Sequence, residues 1–221
     1  MEVYQIAIDG PSGSGKSTLA KGVSKRLGIM YLDTGAMYRS CGLYAIKKGV
    51  DPKDEENVKT LMDQMDLKIE FKDGEQHMIL DGEDVTGQIR TPEVSRAASN
   101  ISALPYVRKL MVDMQRKIAK EQSFVLDGRD IGSNVLPDAK YKFFLTASAE
   151  IRAERRLKEL NERGDFSQNY EEVLKDIKWR DEQDSTRSNA PLVKVDDAIE
   201  IDTSKIGIDE TLETLLSKVN E

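Results

Sequence analysis

Short apolar runs alternate with longer helical periods along this chain. Gln5-Ile6-Ala7-Ile8-Asp9 reads as a buried strand. Leu19, Val23 and Leu27 follow at helical spacing, and Gly28 is placed to end that helix. Ile29-Met30-Tyr31-Leu32 predicts a second strand. Met37, Cys41, Tyr44 and Ala45 predict a helix ending near Gly49, and Val58, Leu61, Met62 and Met65 predict another. The period changes at residue 67. Leu67, Ile69 and Phe71 alternate with Lys68, Glu70 and Lys72, the pattern of a half-exposed strand. Asp73-Gly74 and Asp81-Gly82 are hairpin turn pairs around His77-Met78-Ile79-Leu80.

Helices resume after Pro92 and Pro105, where proline suits a first helical position. Val107, Leu110, Met111, Met114 and Ile118 predict the buried stripe of the second of these. Ser123-Phe124-Val125-Leu126-Asp127 and Tyr141-Lys142-Phe143-Phe144-Leu145 predict a third and a fourth core strand. A charged helix over 149–162, a helix carrying Val173, Leu174 and Ile177, a fifth strand at 198–201 and a last helix with Leu212, Leu215, Leu216 and Val219 complete the pattern. Strands that alternate with helices predict an α/β fold: a five-stranded parallel sheet flanked by helices. A small antiparallel sheet is inserted near 67–86.

The 221 residues suit one compact domain with such an insertion. The net charge of −7 argues against a protein that coats DNA or anionic membranes. One cysteine, Cys41, excludes an intrachain disulfide and a cysteine metal cluster. One histidine, His77, excludes mechanisms that need two. His77 falls mid-hairpin and Cys41 on an apolar helical stripe, so both read as structural, and Trp179 reads as packing. The N-terminus lacks a signal-peptide pattern, and no apolar run approaches the roughly 18 residues of a membrane span. The expectation is a soluble, reduced, cytoplasmic protein.

Gly10-Pro11-Ser12-Gly13-Ser14-Gly15-Lys16-Ser17-Thr18 contains G-x-x-x-x-G-K-S between a predicted strand and a predicted helix. A chance match in such a chain is about 1% from average residue frequencies, and the flanking elements are those the motif requires. Its backbone N–H groups and the helix N-terminus suit a phosphate chain. Lys16 would bridge the β- and γ-phosphates, and the Ser17 hydroxyl would ligate Mg²⁺. This predicts nucleotide binding and leaves the acceptor open.

Arginines dominate the rest. Arg39, Arg108, Arg129, Arg180 and Arg187 lie in or beside polar stretches near element ends. Arg129, in Asp127-Gly128-Arg129-Asp130, directly follows the third core strand, and carboxyl ends of parallel strands face the ligand crevice. Arg180, Asp184 and Arg187 share a helical face, a spacing that equally fits an exposed ion pair. Arg152, Arg155, Arg156 and Arg163 crowd another helix and fit either a solvated face or an arginine lid that closes over phosphates.

The sequence resembles the bacterial cytidylate kinases, a family of nucleoside monophosphate kinases. The resemblance lies in the P-loop, in Leu32-Asp33-Thr34-Gly35-Ala36-Met37-Tyr38-Arg39, and in Asp127-Gly128-Arg129-Asp130-Ile131-Gly132. It continues through Arg152-Ala153-Glu154-Arg155-Arg156, Arg180-Asp181 with Arg187, and Ala190-Pro191-Leu192. These segments occur in the family's order across nearly the whole chain, and the inserted sheet fits as well.

The resemblance implies transfer of a phosphoryl group from ATP, with Mg²⁺, to CMP or dCMP. It implies that Arg39, Arg129 and Arg187 hold the acceptor phosphate. Ser99, Arg108 and Asp130 would read cytosine, and Arg180 with Asp184 would hold the ribose. Asp33 or Asp127 would position Mg²⁺ through water. The implied organisation is one P-loop kinase unit over 1–221, with a monophosphate-binding region at 36–103 and a lid at 152–168. A monomer without nucleic-acid or membrane partners is expected. The competing readings are a P-loop kinase for another small acceptor, such as another nucleoside monophosphate or shikimate, and a P-loop regulatory switch.

Overall fold

The computed structural model describes residues 3–219. Strands β1 (Gln5–Asp9), β2 (Met30–Asp33), β6 (Phe124–Gly128), β7 (Tyr141–Thr146) and β8 (Ile199–Asp202) form the main sheet. Its order is β2-β6-β1-β7-β8. Ile8 pairs with Phe143 and Phe143 with Ile199, both in parallel register. Strands β3 (Leu67–Lys72), β4 (Glu75–Leu80) and β5 (Glu83–Asp84) form a second, antiparallel sheet. The α/β architecture with an inserted antiparallel sheet is therefore the one the pattern predicts.

The chain divides into two compact units. One covers residues 30–124. It holds α2 (Thr34–Lys48), α3 (Glu55–Asp63), α4 (Pro92–Ile101) and α5 (Pro105–Ala119), with the small sheet. Local chemistry explains each start. Asp33, Asp54 and Thr91 cap α2, α3 and α4 with side-chain oxygens, and Pro92 and Pro105 open their helices. In the hairpins Asp73, Gly74, Asp81 and Gly82 all have positive φ, the backbone of a two-residue I′ turn. Phe71 on β3 packs against Phe124, ring centroids 5.8 Å apart.

Two details of this unit differ from the pattern. Met65 lies beyond α3, which ends at Asp63. On α5, Leu110, Met114 and Ile118 are only half-buried, while Arg108, Val112, Gln115 and Ala119 are buried beside Val107 and Met111. The buried face is rotated toward two polar side chains, which an apolar count cannot register.

The other unit joins residues 3–29 to 125–219. It holds α1 (Lys16–Leu27), α6 (Ala149–Glu162), α7 (Tyr170–Thr186) and α8 (Ile208–Val219). Ser148 caps α6, and a capping box between Asn169 and Glu172 opens α7. Ala153, Leu160, Val173 and Ile177 bury a small core between α6 and α7. Phe166, in the loop joining them, is 76% exposed. After β6 the chain forms one π-helical turn, Ile131–Val135, that the pattern does not predict. Among the described residues no helix is long and apolar enough to cross a membrane.

Candidate active site

Strand β1 delivers the chain to the glycine loop, and α1 begins at Lys16. Gly10 has φ +144°, and a Cβ there would fall 2.1 Å from the Leu145 carbonyl oxygen, so only glycine fits. Gly15, the residue before α1, has left-handed backbone and provides no side-chain cap. The first-turn N–H groups of α1 are thus not taken by a capping side chain, which suits an anion. The loop's carbonyls are secured from several directions. Lys16 Nζ donates to Pro11 O at 2.5 Å, Arg152 Nη1 to Ser12 O at 3.1 Å, and Thr203 Oγ1 to Ser14 O at 3.2 Å.

Lys16 is 5% exposed. Burial, then the Arg129 guanidinium, hold its pKa well below the usual lysine value, while Asp127, Asp9 and Asp184 oppose the shift. Ser17 Oγ donates to Asp127 Oδ2 at 2.8 Å. A hydroxyl and a carboxylate side by side, both oxygen donors, fit a hard divalent cation that keeps most of its water and phosphate ligands. No cluster of three or more acidic, histidine or cysteine side chains exists among the described residues, and such a cation needs none.

Beyond Asp127, four charged side chains converge. Arg129 Nε donates to Asp184 Oδ2 at 2.8 Å. Arg187 Nη2 donates to Asp130 Oδ1 at 3.4 Å, and its Nη1 lies 3.9 Å from Asp184 Oδ1. Asn134 Nδ2 donates to Asp130 Oδ2 at 2.9 Å. Ala190 O accepts from Arg187 Nε, and Leu192 N donates to Asp184 O, so Ala190-Pro191-Leu192 folds back on the end of α7. Burial raises the Asp184 pKa, but Arg129, Arg180 and Arg187 outweigh it and hold the carboxyl below its ordinary value. Arg187 lies just past the end of α7 rather than on its face, and it meets buried Asp184 in a buried charge network rather than an exposed ion pair, with half-buried Arg180 adding its charge.

The arginines of α6 separate into two kinds. Arg152 is buried, donating from both terminal nitrogens to Asp181, at 2.9 and 2.6 Å. Arg155 donates to Thr203. Arg156 and Arg163 both pair with Glu159 and are partly exposed.

In the unit of residues 30–124, Asp33 Oδ1 caps α2 at Ala36 N, 2.7 Å away. Its Oδ2 accepts from Arg39 at 2.8 Å and from Arg90 at 3.2 Å. Burial pushes the Asp33 pKa up, and Arg39 and Arg90 more than reverse that. The Arg39 Nε is buried without a hydrogen-bond partner, as is Ser99 Oγ. Arg108 is 2% exposed, donates to Ser102 O, and lies 5.8 Å over the Tyr38 ring. Cys41 is buried against Met111, and His77 pairs with Asp84.

Sequence reasoning missed Asp9, Gln76 and Arg90. Asp9 carries a signal, because it is a charge at the end of an otherwise apolar core strand. Gln76 and Arg90 carry none that their neighbours reveal.

A parallel sheet whose first strand runs into such a loop defines the P-loop nucleotide-binding class. Solved structures bear out the fold: a shikimate kinase from Bacteroides thetaiotaomicron superposes with a TM-score of 0.50 at 12% identity, covering 100% of both chains. A gluconokinase from Sinorhizobium meliloti gives 0.50 at 12%, covering 98% of this chain and 91% of its own. The family model for cytidylate kinase matches residues 6–221. A cytidylate kinase of Clostridioides difficile is 51% identical over 215 residues, covering 97% of each chain. One of Halalkalibacterium halodurans is 48% identical over 221 residues, covering 100% of this chain and 99% of its own. This chain belongs to the cytidylate kinase family.

Proposed function

We infer that this enzyme transfers the γ-phosphoryl group of ATP to CMP or dCMP, giving CDP or dCDP. The observation that carries the reading is the family match across residues 6–221. The chemistry of the site agrees with it. The phosphate of a nucleoside monophosphate has a second pKa near 6, by analogy with other phosphomonoesters. It is already an anionic nucleophile at neutral pH, so the chain needs no strong general base. What it must supply is alignment and positive charge.

We assign these roles as follows. The loop Gly10-Pro11-Ser12-Gly13-Ser14-Gly15-Lys16-Ser17-Thr18 binds the phosphates of ATP, with Lys16 on the β- and γ-phosphates. Arg39, Arg129 and Arg187 bind the acceptor phosphate. The unpartnered Arg39 Nε supports this, because a buried donor left unsatisfied is unfavourable. Ser99, Arg108 and Asp130 read cytosine, and Arg180 with Asp184 holds the ribose. A carboxylate at Asp130 accepts from the cytosine amino group and repels the O4 of uracil.

Ser17 and Asp127 would hold Mg²⁺, which when bound neutralises charge on the transferring phosphoryl group. Asp127 is preferred over Asp33, because Asp33 is already committed to Ala36, Arg39 and Arg90. Arg156 and Arg163 are the arginines suited to a closing lid, since partly exposed ion pairs are weak and exchange partners readily. We further take the enzyme to be a cytoplasmic monomer without nucleic-acid partners, in line with its net charge of −7 and single buried thiol.

A coupled ADP-release assay with ATP, Mg²⁺ and a panel of CMP, dCMP, UMP, AMP, GMP and shikimate tests the reading. Turnover with CMP and dCMP well above the rest is expected. Turnover with another acceptor would keep the fold and void the base-reading roles of Ser99, Arg108 and Asp130. ATP binding without turnover on any acceptor would point to a regulatory switch instead.

A further inference from the structure

The inserted sheet has no role in the chemistry above, yet one of its side chains reaches a residue that holds Arg39. Gln76 lies on β4, paired with Phe71 of β3. Its amide grips the backbone of Asp33 at two points. Asp33 N donates to Gln76 Oε1 at 2.7 Å, and Gln76 Nε2 donates to Asp33 O at 3.2 Å. That is the bond pattern a neighbouring strand would supply, provided here by a side chain. Asp33 is the last residue of β2 and the N-cap of α2. A shift of its backbone would carry its carboxylate with it.

That carboxylate sets the Arg39 guanidinium. Arg39 folds back over the first turn of α2 and donates to Asp33 Oδ2. Its Nη1 lies 2.9 Å from where a Cβ on residue 35 would stand, so Gly35 leaves the space the guanidinium fills. Arg90 braces the same Asp33 oxygen from the segment that follows the sheet. One buried carboxylate thus faces two guanidinium groups, which leaves a net positive charge for an anion. The sheet itself is anchored by the Phe71–Phe124 contact and by buried Met78 and Leu80.

We propose that the inserted sheet is a positioning device for the acceptor-phosphate arginine: Gln76 fixes Asp33, and Asp33 fixes Arg39. The proposal rests on the reading that Arg39 binds the phosphate of CMP. Gln76 touches no substrate and acts through Asp33, so it is a positioning residue.

The test is a kinetic double-mutant cycle. Gln76→Ala removes two neutral hydrogen bonds, and a rise of about five-fold in KM for CMP is expected, with KM for ATP unchanged within about two-fold. In an Arg39→Ala background the same substitution should raise KM for CMP no further, because the group it positions is gone. A merely structural loss would persist in that background and would reach KM for ATP. Gln76→Glu keeps the length of the side chain but loses the donor to Asp33 O, and it should raise KM for CMP at least as much. It carries the test if the alanine variant fails to fold, which thermal melting reports. An Arg39→Ala enzyme with unchanged KM for CMP would overturn the reading beneath the proposal. A raised KM in Arg39→Ala with no rise in either Gln76 variant, or with a rise that adds fully to that of Arg39→Ala, would overturn the proposal alone.

Discussion

Asp9 couples the stability of the fold to pH. It ends β1, and its carboxylate accepts from Ile131 N at 2.8 Å and Gly132 N at 2.7 Å. These bonds tie the turn after Arg129-Asp130 to the strand that leads into the P-loop. Burial raises the Asp9 pKa from 3.8 to about 6. The two backbone bonds and Lys16 oppose the rise, and Asp130 adds to it. Asp9→Asn removes the titration while keeping the shape.

A rise of this size is worth about 3 kcal/mol. The folded chain holds the proton more tightly than the unfolded one, so the raised pKa makes stability fall as pH rises. The contribution is complete below 3.8, the unfolded value, and is lost as pH passes the folded value of about 6. Guanidinium unfolding of the parent and Asp9→Asn proteins, at steps from about pH 4 to about pH 7, measures it. The parent-minus-variant stability should decline by about 2.4 kcal/mol across that range, the remainder of the effect lying below pH 4. Carboxylates remote from Asp9 titrate alike in both proteins and cancel in the difference, whereas Asp130, which interacts with Asp9, cancels only in part. A difference that stays flat with pH would refute the reasoning, because Asp9 would then titrate as an exposed carboxylate does.

Three further outcomes are expected. Lys16→Ala should lower kcat by about 100-fold or more with the circular dichroism spectrum intact, as loss of a charge contact to the transferring phosphoryl group requires; unchanged turnover would remove Lys16 from the chemistry. Asp130→Asn should narrow the preference for CMP over UMP in kcat/KM, because an amide can donate to O4 where a carboxylate repels it; an unchanged ratio would mean Asp130 does not read the base. Gly42→Ala should lower unfolding stability by about 2 kcal/mol, since its Cβ would lie 2.8 Å from the Ala98 backbone nitrogen where α2 packs on α4. A gain in stability would show that better helix propensity outweighs the clash.

The elements were largely legible because their signals are local. The 149–162 helix, the prolines that open α4 and α5, Gly28 and Gly49 past their helices, and the two Asp-Gly turns are each specified by a few adjacent residues. The α5 stripe was misread because Arg108 and Gln115 are buried polar side chains. The π-turn at Ile131–Val135 was not foreseen, because its anchor is Asp9, more than a hundred residues earlier.

Within the candidate site the same division holds. The sequence by itself determined the glycine loop with Lys16 and Ser17, because that site is one unbroken stretch of backbone between a strand and a helix. It also marked most of the arginines. Only the tertiary structure decided which carboxylate meets which cation. Asp127 meets Ser17 across 110 positions, Asp184 meets Arg129 across 55, and Asp33 takes both Arg39 and Arg90. It also separated the buried, doubly bonded Arg152 from the partly exposed Arg156 and Arg163 on the same helix. The reason is physical. Backbone conformation is set by neighbouring residues, whereas an ion pair depends on where the folded sheet brings distant strand ends, and on how much water the packing leaves around each charge.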